Sequence, residues 1–217
     1  MQQGSTLPLS VDEVLATTRA VRRRLDLTRP VDRTLIEECL ALAQQAPRAS
    51  NVERRAFVVV TDADRRARLA ELWRRGMERY LGRMAPDATA PSNPRTSVER
   101  MRAGVLYLGD HLAEVPVHLI PCVQGRLDGL PALHQSGLWG TIAPATWSFM
   151  LAARARGLGT CWTTFHLMYE EEAAAILNIP HDRWTQTALI PVAHTLGTNF
   201  KPAPREPLDT IVHWDHW

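Results

Sequence analysis

The feature that most restricts the fold is a stretch without a charged side chain, which runs from Gln135 to Ala153. It is nominally long enough to cross a bilayer as a helix. Its polar and helix-breaking residues argue against that use; they are Gln135, Ser136, Gly137, Gly140, Thr141, Pro144, Thr146 and Ser148. The stretch therefore predicts a buried helix at the centre of a soluble protein. The segment Gly157-Leu-Gly159 follows it, and glycine can end a helix there in a left-handed conformation.

The composition is that of an ordinary globular protein. The chain has 217 residues, of which 45% are apolar and 22% are charged, and its net charge is +2. This length predicts one domain over residues 1–217. Acidic and basic residues are mixed along the chain, so the sequence predicts neither a nucleic-acid partner nor a membrane span.

The cysteines and the N-terminus predict a cytoplasmic protein. Cys39, Cys122 and Cys161 are odd in number and far apart, without the short spacing of a zinc site or a redox pair. We expect three reduced thiols in the core. The segment from Met1 to Leu9 lacks the basic and then apolar pattern of a signal peptide.

Helix and strand patterns alternate along the chain and predict a mixed α/β domain. A capping box at Ser10-Val-Asp-Glu13 and a cap at Asp32 begin the first two helices, the second of which stops before Pro47. The second strand contains Pro116 and Pro121, and proline prefers an edge strand or the end of a strand. Further helices are predicted over 62–81, 97–111, 135–157 and 169–177. Strands are predicted over 56–61, 115–123 and 185–195, a β-like tail over 210–214, and a mobile loop over 85–95.

Three separated segments carry groups suited to holding a phosphate or a planar heteroaromatic ring. Arg19-Ala-Val-Arg22-Arg23-Arg24 clusters guanidinium groups, whose planar fork matches phosphate geometry. Ala46-Pro-Arg-Ala-Ser50-Asn51 is a turn-prone loop, a usual place for ligand contacts. Gly157-Leu-Gly-Thr-Cys-Trp-Thr163 lets the backbone approach a ligand closely, and Lys201 and Arg205 add two cations. Taken alone, each segment is equally compatible with a solvated loop, an ordinary turn or a helix cap.

The order of these segments resembles that of the nitroreductase family of FMN oxidoreductases. Members of that family have an Arg-rich start, a Pro-Ser-x-x-Asn-like loop before a Phe-Val-Val-Val strand, a Gly-Leu-Gly-Thr helix exit and a C-terminal pair of cations. All four features occur here in that order between Arg19 and Arg205. The segment Trp139-Gly-Thr-Ile-Ala-Pro-Ala145 is also similar, and the tail from Phe200 to Trp217 resembles that of actinobacterial members.

The resemblance implies which residues bind FMN. Arg19, Arg23, Lys201 and Arg205 would bind the phosphate. Arg22 would lie near the pyrimidine edge of the flavin, where a cation favours the negative charge that develops on reduction.

The remaining contacts that the resemblance implies involve the loop and the helix exit. Ser50 and Asn51 would hydrogen-bond the ring or the ribityl chain, and the backbone of residues 158–160 would approach the flavin from its other side. The full implied set is Arg19, Ala20, Arg22, Arg23, Pro47, Arg48, Ala49, Ser50, Asn51, Leu158, Gly159, Thr160, Lys201 and Arg205.

The resemblance also implies the fold, the assembly and the reaction. The fold would be α+β and nitroreductase-like, with a central, mostly antiparallel sheet wrapped by helices. Two chains would form an intertwined homodimer through the helix at 135–157, with the arm 201–217 exchanged, so that each FMN site is built from both subunits. Electrons would pass from NADPH or NADH through FMN to a small electrophilic acceptor such as a nitroaromatic or a quinone, without a catalytic side chain.

Two other functions stay open at this point. One is an FMN-binding or storage protein without nicotinamide turnover, in which the segment 70–95 closes over the ring. The other is a flavin-dependent dehydrogenase or oxidase of a biosynthetic intermediate. The apolar stripe on the helix at 62–81 is equally compatible with a core and with such a lid; its residues are Leu69, Leu72, Trp73, Met77, Tyr80 and Leu81.

The chain departs from the family pattern in two places. Members often have Asn-x-Gln-Pro-Trp-x-Phe where this chain has Asn51-Val-Glu53-Arg54-Arg55-Ala-Phe57. We expect Glu53 to form an ion pair with the arginines beside it at the start of the strand. Ala20 stands where a serine is common, so one hydroxyl contact to the phosphate is missing.

No metal site and no side-chain nucleophile are predicted. His213 and His216 would point to opposite faces of an extended segment, so they cannot easily converge on one metal ion. Cys161 has no His or Asp partner that its spacing would reveal.

Overall fold

The computed structural model describes residues 6–83 and 95–217. Its helices are α1 (Val11–Thr17), α2 (Arg33–Ala43), α3 (Ala63–Arg83), α4 (Arg95–His111), α5 (Ala132–Ala155) and α6 (Glu170–Leu177). Its strands are β1 (Arg55–Val60), β2 (Val117–Gln124), β3 (Leu158–Thr160), β4 (Trp184–Gln186) and β5 (Ile190–His194). The predicted alternation of helix and strand is confirmed. The loop predicted over 85–95 lies outside the described residues, except for Arg95 at the start of α4.

The first two helices begin at the predicted caps. The hydroxyl of Ser10 accepts a hydrogen bond from the Glu13 amide at 3.2 Å, and the Glu13 carboxylate accepts one from the Ser10 amide at 2.7 Å. Both bonds of a capping box are therefore present. Asp32 caps α2 by accepting from the Thr34 amide at 3.0 Å.

The strands form one antiparallel sheet in the order β1-β2-β5-β3, with β4 also paired to β2. β1 pairs with β2 from Arg55, opposite Val123, to Val60, opposite His118. The other edge of β2 pairs with β5 near its start and with β4 near its end. β4 and β5 therefore lie end to end along β2, and the single strand predicted over 185–195 is divided in two.

The predicted position of proline, at an edge strand or a strand end, is confirmed for Pro116 but wrong for Pro121, because β2 is central in the sheet. Pro121 lies opposite Phe57 of β1. Its carbonyl accepts hydrogen bonds from the amide of Thr187 at 2.9 Å and from its hydroxyl at 3.0 Å. Thr187 lies in the gap between β4 and β5, so Pro121, which has no amide hydrogen, faces the point where the ladder is already interrupted. Pro116 lies directly before β2.

Two short segments differ from their prediction. The sequence predicts only a helix end at Gly157-Leu-Gly159, whereas Leu158–Thr160 forms the strand β3; Gly159 is unfavourable in a strand and gives no strand signal. The tail segment 210–214, predicted to be β-like, is not a strand; Leu208–Thr210 forms a 3-10 turn, and the residues after it are exposed. A strand needs a neighbouring edge for its backbone hydrogen bonds, and none of the described strands pairs with this tail.

The hydrophobic core occupies both faces of the sheet. On one face Trp73 of α3 packs in the same cluster as Ile120 of β2. On the other face Phe149 of α5 and Ile36 of α2 pack with Leu119. Neighbouring residues of β2 therefore belong to different halves of the core, as the alternation of side chains along a strand requires.

The predicted central helix is α5, and one side of it is exposed in the single chain. Phe149 and Ala153 are fully buried, whereas Leu133, Trp139 and Trp147 are 79%, 39% and 42% exposed. The helix gives way to Gly157, whose φ of 74° is left-handed, as predicted. Within residues 6–83 and 95–217, no helix is long and apolar enough to cross a membrane.

Candidate functional site

The arginine-rich segment lies against β3. The amide of Val21 donates to the Thr160 carbonyl at 2.8 Å, and Ala20 forms a parallel bridge with Thr160. A Cβ atom on Gly159 would lie 3.0 Å from the Val21 Cβ and 2.8 Å from the Thr195 Cγ2. Gly159 therefore allows close packing between segments of the chain, and the approach of its backbone to a ligand stays a prediction.

The guanidinium groups of this segment donate to uncharged acceptors. Arg19 donates to the Lys201 carbonyl at 3.2 Å, and Arg23 to the Ala103 carbonyl at 3.4 Å. Arg24 donates to the Leu196 carbonyl at 2.9 Å and to the side-chain oxygen of Asn199 at 3.1 Å. In the part of the chain that the structure describes, none of these three arginines forms an ion pair with a carboxylate.

Arg22 lies between α4 and a buried thiol. Its Cδ would be 3.4 Å from a Cβ on Gly104, and its guanidinium interacts with Cys161. Burial raises the pKa of the Cys161 thiol despite this cation. The thiol therefore stays neutral and does not offset the charge of Arg22, which forms no ion pair among residues 6–83 and 95–217.

The start of the tail closes the site from the other side. The Phe200 ring lies 4.1 Å from the Arg24 guanidinium and 5.0 Å from that of Arg154. Lys201 follows and is exposed, and the exposed Arg205 donates to the Pro204 carbonyl at 3.5 Å. We call this set the basic cluster, and it consists of Arg19, Arg22, Arg23, Arg24, Arg154 and Lys201. The sequence places Arg24 in the arginine-rich segment but outside the implied FMN set. It gives no sign of Arg154, because no spacing signal connects α5 with the tail.

The second predicted binding segment lies elsewhere, at the start of β1. Ala49–Asn51 forms a 3-10 turn in which Ser50 and Asn51 are left-handed, with φ of 54° and 55°. The Ala49 amide donates to the Thr141 hydroxyl of α5 at 3.0 Å. All residues from Pro47 to Asn51 are exposed in the single chain.

The arginines beside this turn are neutralised within the chain. The buried Arg55 forms a two-point ion pair with Glu53, at 2.8 and 2.9 Å, and Arg48 reaches the same carboxylate at 3.3 Å. These hydrogen bonds lower the pKa of Glu53 to about 2. We call Arg48, Glu53 and Arg55 the strand-start cluster. The predicted ion pair is confirmed for Arg55, and its second arginine is Arg48, which also holds the side chain of Asn51 at 2.9 Å.

The described chain does not bring the two binding segments together. Thr160 connects through β5 to Val117 at the start of β2, whereas the segment 47–51 leads into Arg55, opposite Val123 at the end of β2. Neighbouring strands are about 4.8 Å apart and each residue advances about 3.3 Å, so the separation is on the order of 25 Å. One flavin ring cannot contact both segments of the same chain.

The apolar stripe of α3 is mainly core. Trp73 is buried and donates from its ring nitrogen to the Thr163 hydroxyl at 2.9 Å. The Phe165 ring lies 4.9 Å from the Trp73 ring and 5.4 Å from that of Tyr80, which is partly exposed. A Cβ on Gly76 would lie 2.0 Å from the Phe165 carbonyl oxygen, so glycine is required for this close contact.

Two buried histidines were not identified from the sequence. His118 and His166 are fully buried, and burial lowers their pKa values to about 4 and about 3. His118 bonds the Leu112 carbonyl at 2.8 Å, whereas both ring nitrogens of His166 lack a partner in the described structure. They lie among apolar residues, so the sequence carried no signal beyond two isolated histidines.

The three cysteines are unpaired and buried, as predicted. Burial raises the pKa of Cys39 and of Cys122 to about 12, so neither thiol is a nucleophile at neutral pH. In the tail, the His213 ring stacks on Trp217 at 4.7 Å. Among residues 6–83 and 95–217, no group of three side chains could hold a metal ion.

Comparison with known proteins assigns both a family and a fold. The chain matches the model of the Nitroreductase family over residues 15–194. Its structure is similar to that of oxidized iodotyrosine deiodinase bound to FMN and 3-iodo-L-tyrosine, with a TM-score of 0.72 and 17% identity over 96% of this chain and 100% of that chain. It is also similar to a BluB-like flavoprotein from Clostridium difficile 630, with a TM-score of 0.68 and 17% identity over 96% of this chain and 100% of that chain. For the FMN and NADPH-dependent nitroreductase NfnB from Sphigopyxis sp. strain HMH, the TM-score is 0.67 and the identity 24%, over 96% of this chain and 100% of that chain.

Proposed function

The chain belongs to the nitroreductase family, and on that premise we propose that it is an FMN-dependent oxidoreductase. Its electron donor is a reduced nicotinamide, and its acceptor is a small electrophile such as a nitroaromatic or a quinone. Proteins of similar fold include one bound to FMN and one nitroreductase that depends on FMN and NADPH. Both relatives support the choice of cofactor, and the second supports the choice of donor.

The observation that carries the proposal is the basic cluster. Arg19 donates to the Lys201 carbonyl, Arg23 lies in the same segment that bridges to β3, and neither arginine pairs with a carboxylate among the described residues. Guanidinium groups repel one another, and such a group is stabilised by a bound anion that forms charge-assisted hydrogen bonds. The phosphate of FMN has this charge and these acceptors, so the residues present fit the cofactor.

The residues of the site have distinct roles in this proposal. Arg19, Arg23, Lys201 and Arg205 hold the phosphate. Arg22 stabilises negative charge at the pyrimidine edge, and its charge is available because the neighbouring Cys161 thiol is neutral. When bound, FMN supplies the hydride and electron chemistry, and the protein supplies binding, orientation and charge.

The proposal includes a homodimer whose FMN sites each use both chains. Support comes from the separation on the order of 25 Å between the two binding segments, which strand spacing and residue rise together give. A second chain would bring its exposed Ser50 and Asn51 to the basic cluster of the first. The exposed apolar face of α5, with Trp139 and Trp147, is suited to a subunit interface. The exposed tail 201–217 is the arm proposed to be exchanged.

An anaerobic absorbance titration tests the proposed reaction. Protein loaded with FMN is mixed with NADPH and then with NADH, and dithionite serves as the control reductant. We expect the flavin bands to bleach with at least one nucleotide and to return when a quinone is added. Bleaching by dithionite alone would contradict nicotinamide turnover and favour a storage protein, and failure to bind FMN would contradict the whole proposal.

A complementation experiment tests the shared site. Arg19→Ala and Asn51→Ala damage opposite halves of the site, and we expect each homodimer to bind FMN weakly. Coexpression of the two variants produces a heterodimer with one intact site and one doubly damaged site. Recovery of high-affinity binding at half the normal stoichiometry is expected in that heterodimer. Its absence, while each variant alone remains dimeric, would contradict a site built from two chains.

A further inference from the structure

Arg154 is a buried cation that pairs with no carboxylate among residues 6–83 and 95–217. It lies in the last turn of α5 and is 5% exposed. Its Nε and Nη2 atoms donate to the Thr17 hydroxyl at 3.3 and 3.1 Å, and Nη2 also donates to the Thr198 carbonyl at 3.1 Å. Its Nη1 atom is buried and has no partner in the described structure.

The surroundings of Arg154 do not stabilise its charge fully. Burial, and then repulsion from Arg24, lower its pKa. Desolvating an unpaired guanidinium is unfavourable, and an apolar side chain of similar volume would avoid that penalty. Stability alone therefore gives no reason for an arginine at this position.

The contacts of Arg154 connect the two halves of the basic cluster. Thr17 ends α1, two positions before Arg19. Thr198 and Phe200 belong to the tail segment that leads directly to Lys201, and the Phe200 ring faces the Arg154 guanidinium at 5.0 Å.

A further hydrogen bond connects Arg19 with the end of the tail segment 198–201. Arg19 donates to the Lys201 carbonyl at 3.2 Å, so the two cations nearest the expected phosphate are joined to each other. Arg154 donates to Thr17, which precedes Arg19, and to Thr198, which precedes Lys201. A guanidinium suits this place because the Thr198 carbonyl and the Phe200 ring face both attract a positive charge.

We propose that Arg154 is a positioning residue that sets the segment 198–201 against the end of α1, so that Arg19 and Lys201 face one phosphate. It acts through these two residues and does not itself touch the ligand. The inference rests on the proposed FMN site, and it adds a residue outside the set that the family resemblance implied.

The test compares FMN with riboflavin, which lacks the phosphate. Flavin fluorescence gives Kd for both ligands in the wild type, in Arg154→Met and in Arg154→Lys. We expect Arg154→Met to raise the Kd for FMN about tenfold and to leave the Kd for riboflavin within about twofold, because only the phosphate contacts are displaced. Arg154→Lys keeps the charge and should lie within about threefold of the wild type.

A double-mutant cycle distinguishes positioning from a general structural effect. Lys201→Ala should raise the Kd for FMN about tenfold in the wild type and less than about twofold in Arg154→Met, since Lys201 is then already misplaced. Fully additive effects, or an equal rise for riboflavin, would overturn the inference. Phe200→Leu removes the ring and spares Arg154, so it tests the same path if Arg154→Met fails to fold; a rise for FMN alone supports the inference, and no rise opposes it.

The outcomes separate this inference from the proposed function. If the wild type binds FMN no better than riboflavin, the proposed phosphate site is wrong, whatever the variants do. If the wild type prefers FMN and Arg154→Met keeps that preference in full, only the role of Arg154 is wrong.

Discussion

Two groups of arginines in this molecule differ in what balances their charge. In the strand-start cluster, the carboxylate of Glu53 holds both Arg55 and Arg48 within 3.3 Å. In the basic cluster, Arg19 and Arg24 donate to carbonyl and amide oxygens and pair with no carboxylate among the described residues. Both groups look alike in sequence, as short runs of arginine near a predicted loop.

The difference separates a structural role from a binding role. An internal carboxylate satisfies the arginines of the strand-start cluster and fixes the turn that precedes β1. In the proposed function, the charge of the basic cluster serves to bind an external anion. Arg48 of the strand-start cluster also donates to the side-chain oxygen of Asn51 at 2.9 Å within the same chain. We therefore expect substitutions in the basic cluster to affect FMN affinity, and those in the strand-start cluster to affect folding.

The largest expected effect is that of Arg19→Ala on FMN binding. Loss of a charge-assisted hydrogen bond to phosphate should raise Kd about 100-fold, or about 2.7 kcal/mol. Fluorescence titration measures this change, with Arg33→Ala as the control, because Arg33 is an exposed arginine that pairs with Glu37 on α2. The free energy of unfolding should stay within about 0.5 kcal/mol of the wild type. An unchanged Kd for Arg19→Ala would contradict a binding role for the basic cluster and would leave no functional difference between the two clusters.

Glu53→Gln should lower the stability of the fold and leave the preference for FMN unchanged, in contrast to Arg19→Ala. It leaves the buried Arg55 without its charged partner, so we expect the free energy of unfolding to fall by about 2 kcal/mol, below the value for a fully buried pair because Glu53 is partly exposed. Urea denaturation measures the change in free energy. The ratio of the Kd for riboflavin to the Kd for FMN should stay unchanged. A lost preference for FMN with unchanged stability would show that the strand-start cluster serves the phosphate.

Mild acid should weaken the fold while the ion pairs of Glu53 persist. The pKa of Glu53 is about 2, so its carboxylate stays ionised between pH 7.5 and 6. The unfolded chain binds protons at His118 and His166 near pH 6.5, whereas their folded pKa values are about 4 and about 3. Their contribution to stability is thus present above pH 6.5 and is lost as the pH falls towards those values.

This pH effect on stability is the smallest of the three predicted effects. Two such histidines lower the free energy of unfolding by about 1.5 kcal/mol between pH 7.5 and 6. Urea denaturation at the two pH values measures it, and His166→Leu should remove about half of the dependence. A pH-independent stability in the wild type would contradict the neutral, buried state of both histidines.

Local features of the fold could be predicted from sequence because their causes are local. The capping box at Ser10, the cap at Asp32 and the apolar run of β1 each depend on a few neighbouring residues. The central position of Pro121 could not be predicted, since it depends on a gap between two strands that lie far along the chain. The short strand β3 is defined by its partners and not by its own residues.

The candidate site was predictable only in part, for the same reason. The residue types of the Arg19–Arg24 segment indicated phosphate binding, and the structure adds where that segment lies. The separation from Ser50 follows from strand order, which no spacing encodes. Arg154 was missed because its importance depends on contacts with Thr17 and the tail, both distant in sequence.

A crystal structure of the FMN complex would show which residues bind the phosphate. We expect the phosphate to lie within about 3 Å of the side-chain nitrogens of Arg19 and Lys201, beside β3, as charge-assisted hydrogen bonds require. We also expect that Ser50 and Asn51 near that flavin come from the second chain. A phosphate bound at Arg48 or elsewhere outside the basic cluster would contradict the claim that unpaired arginines mark the anion site.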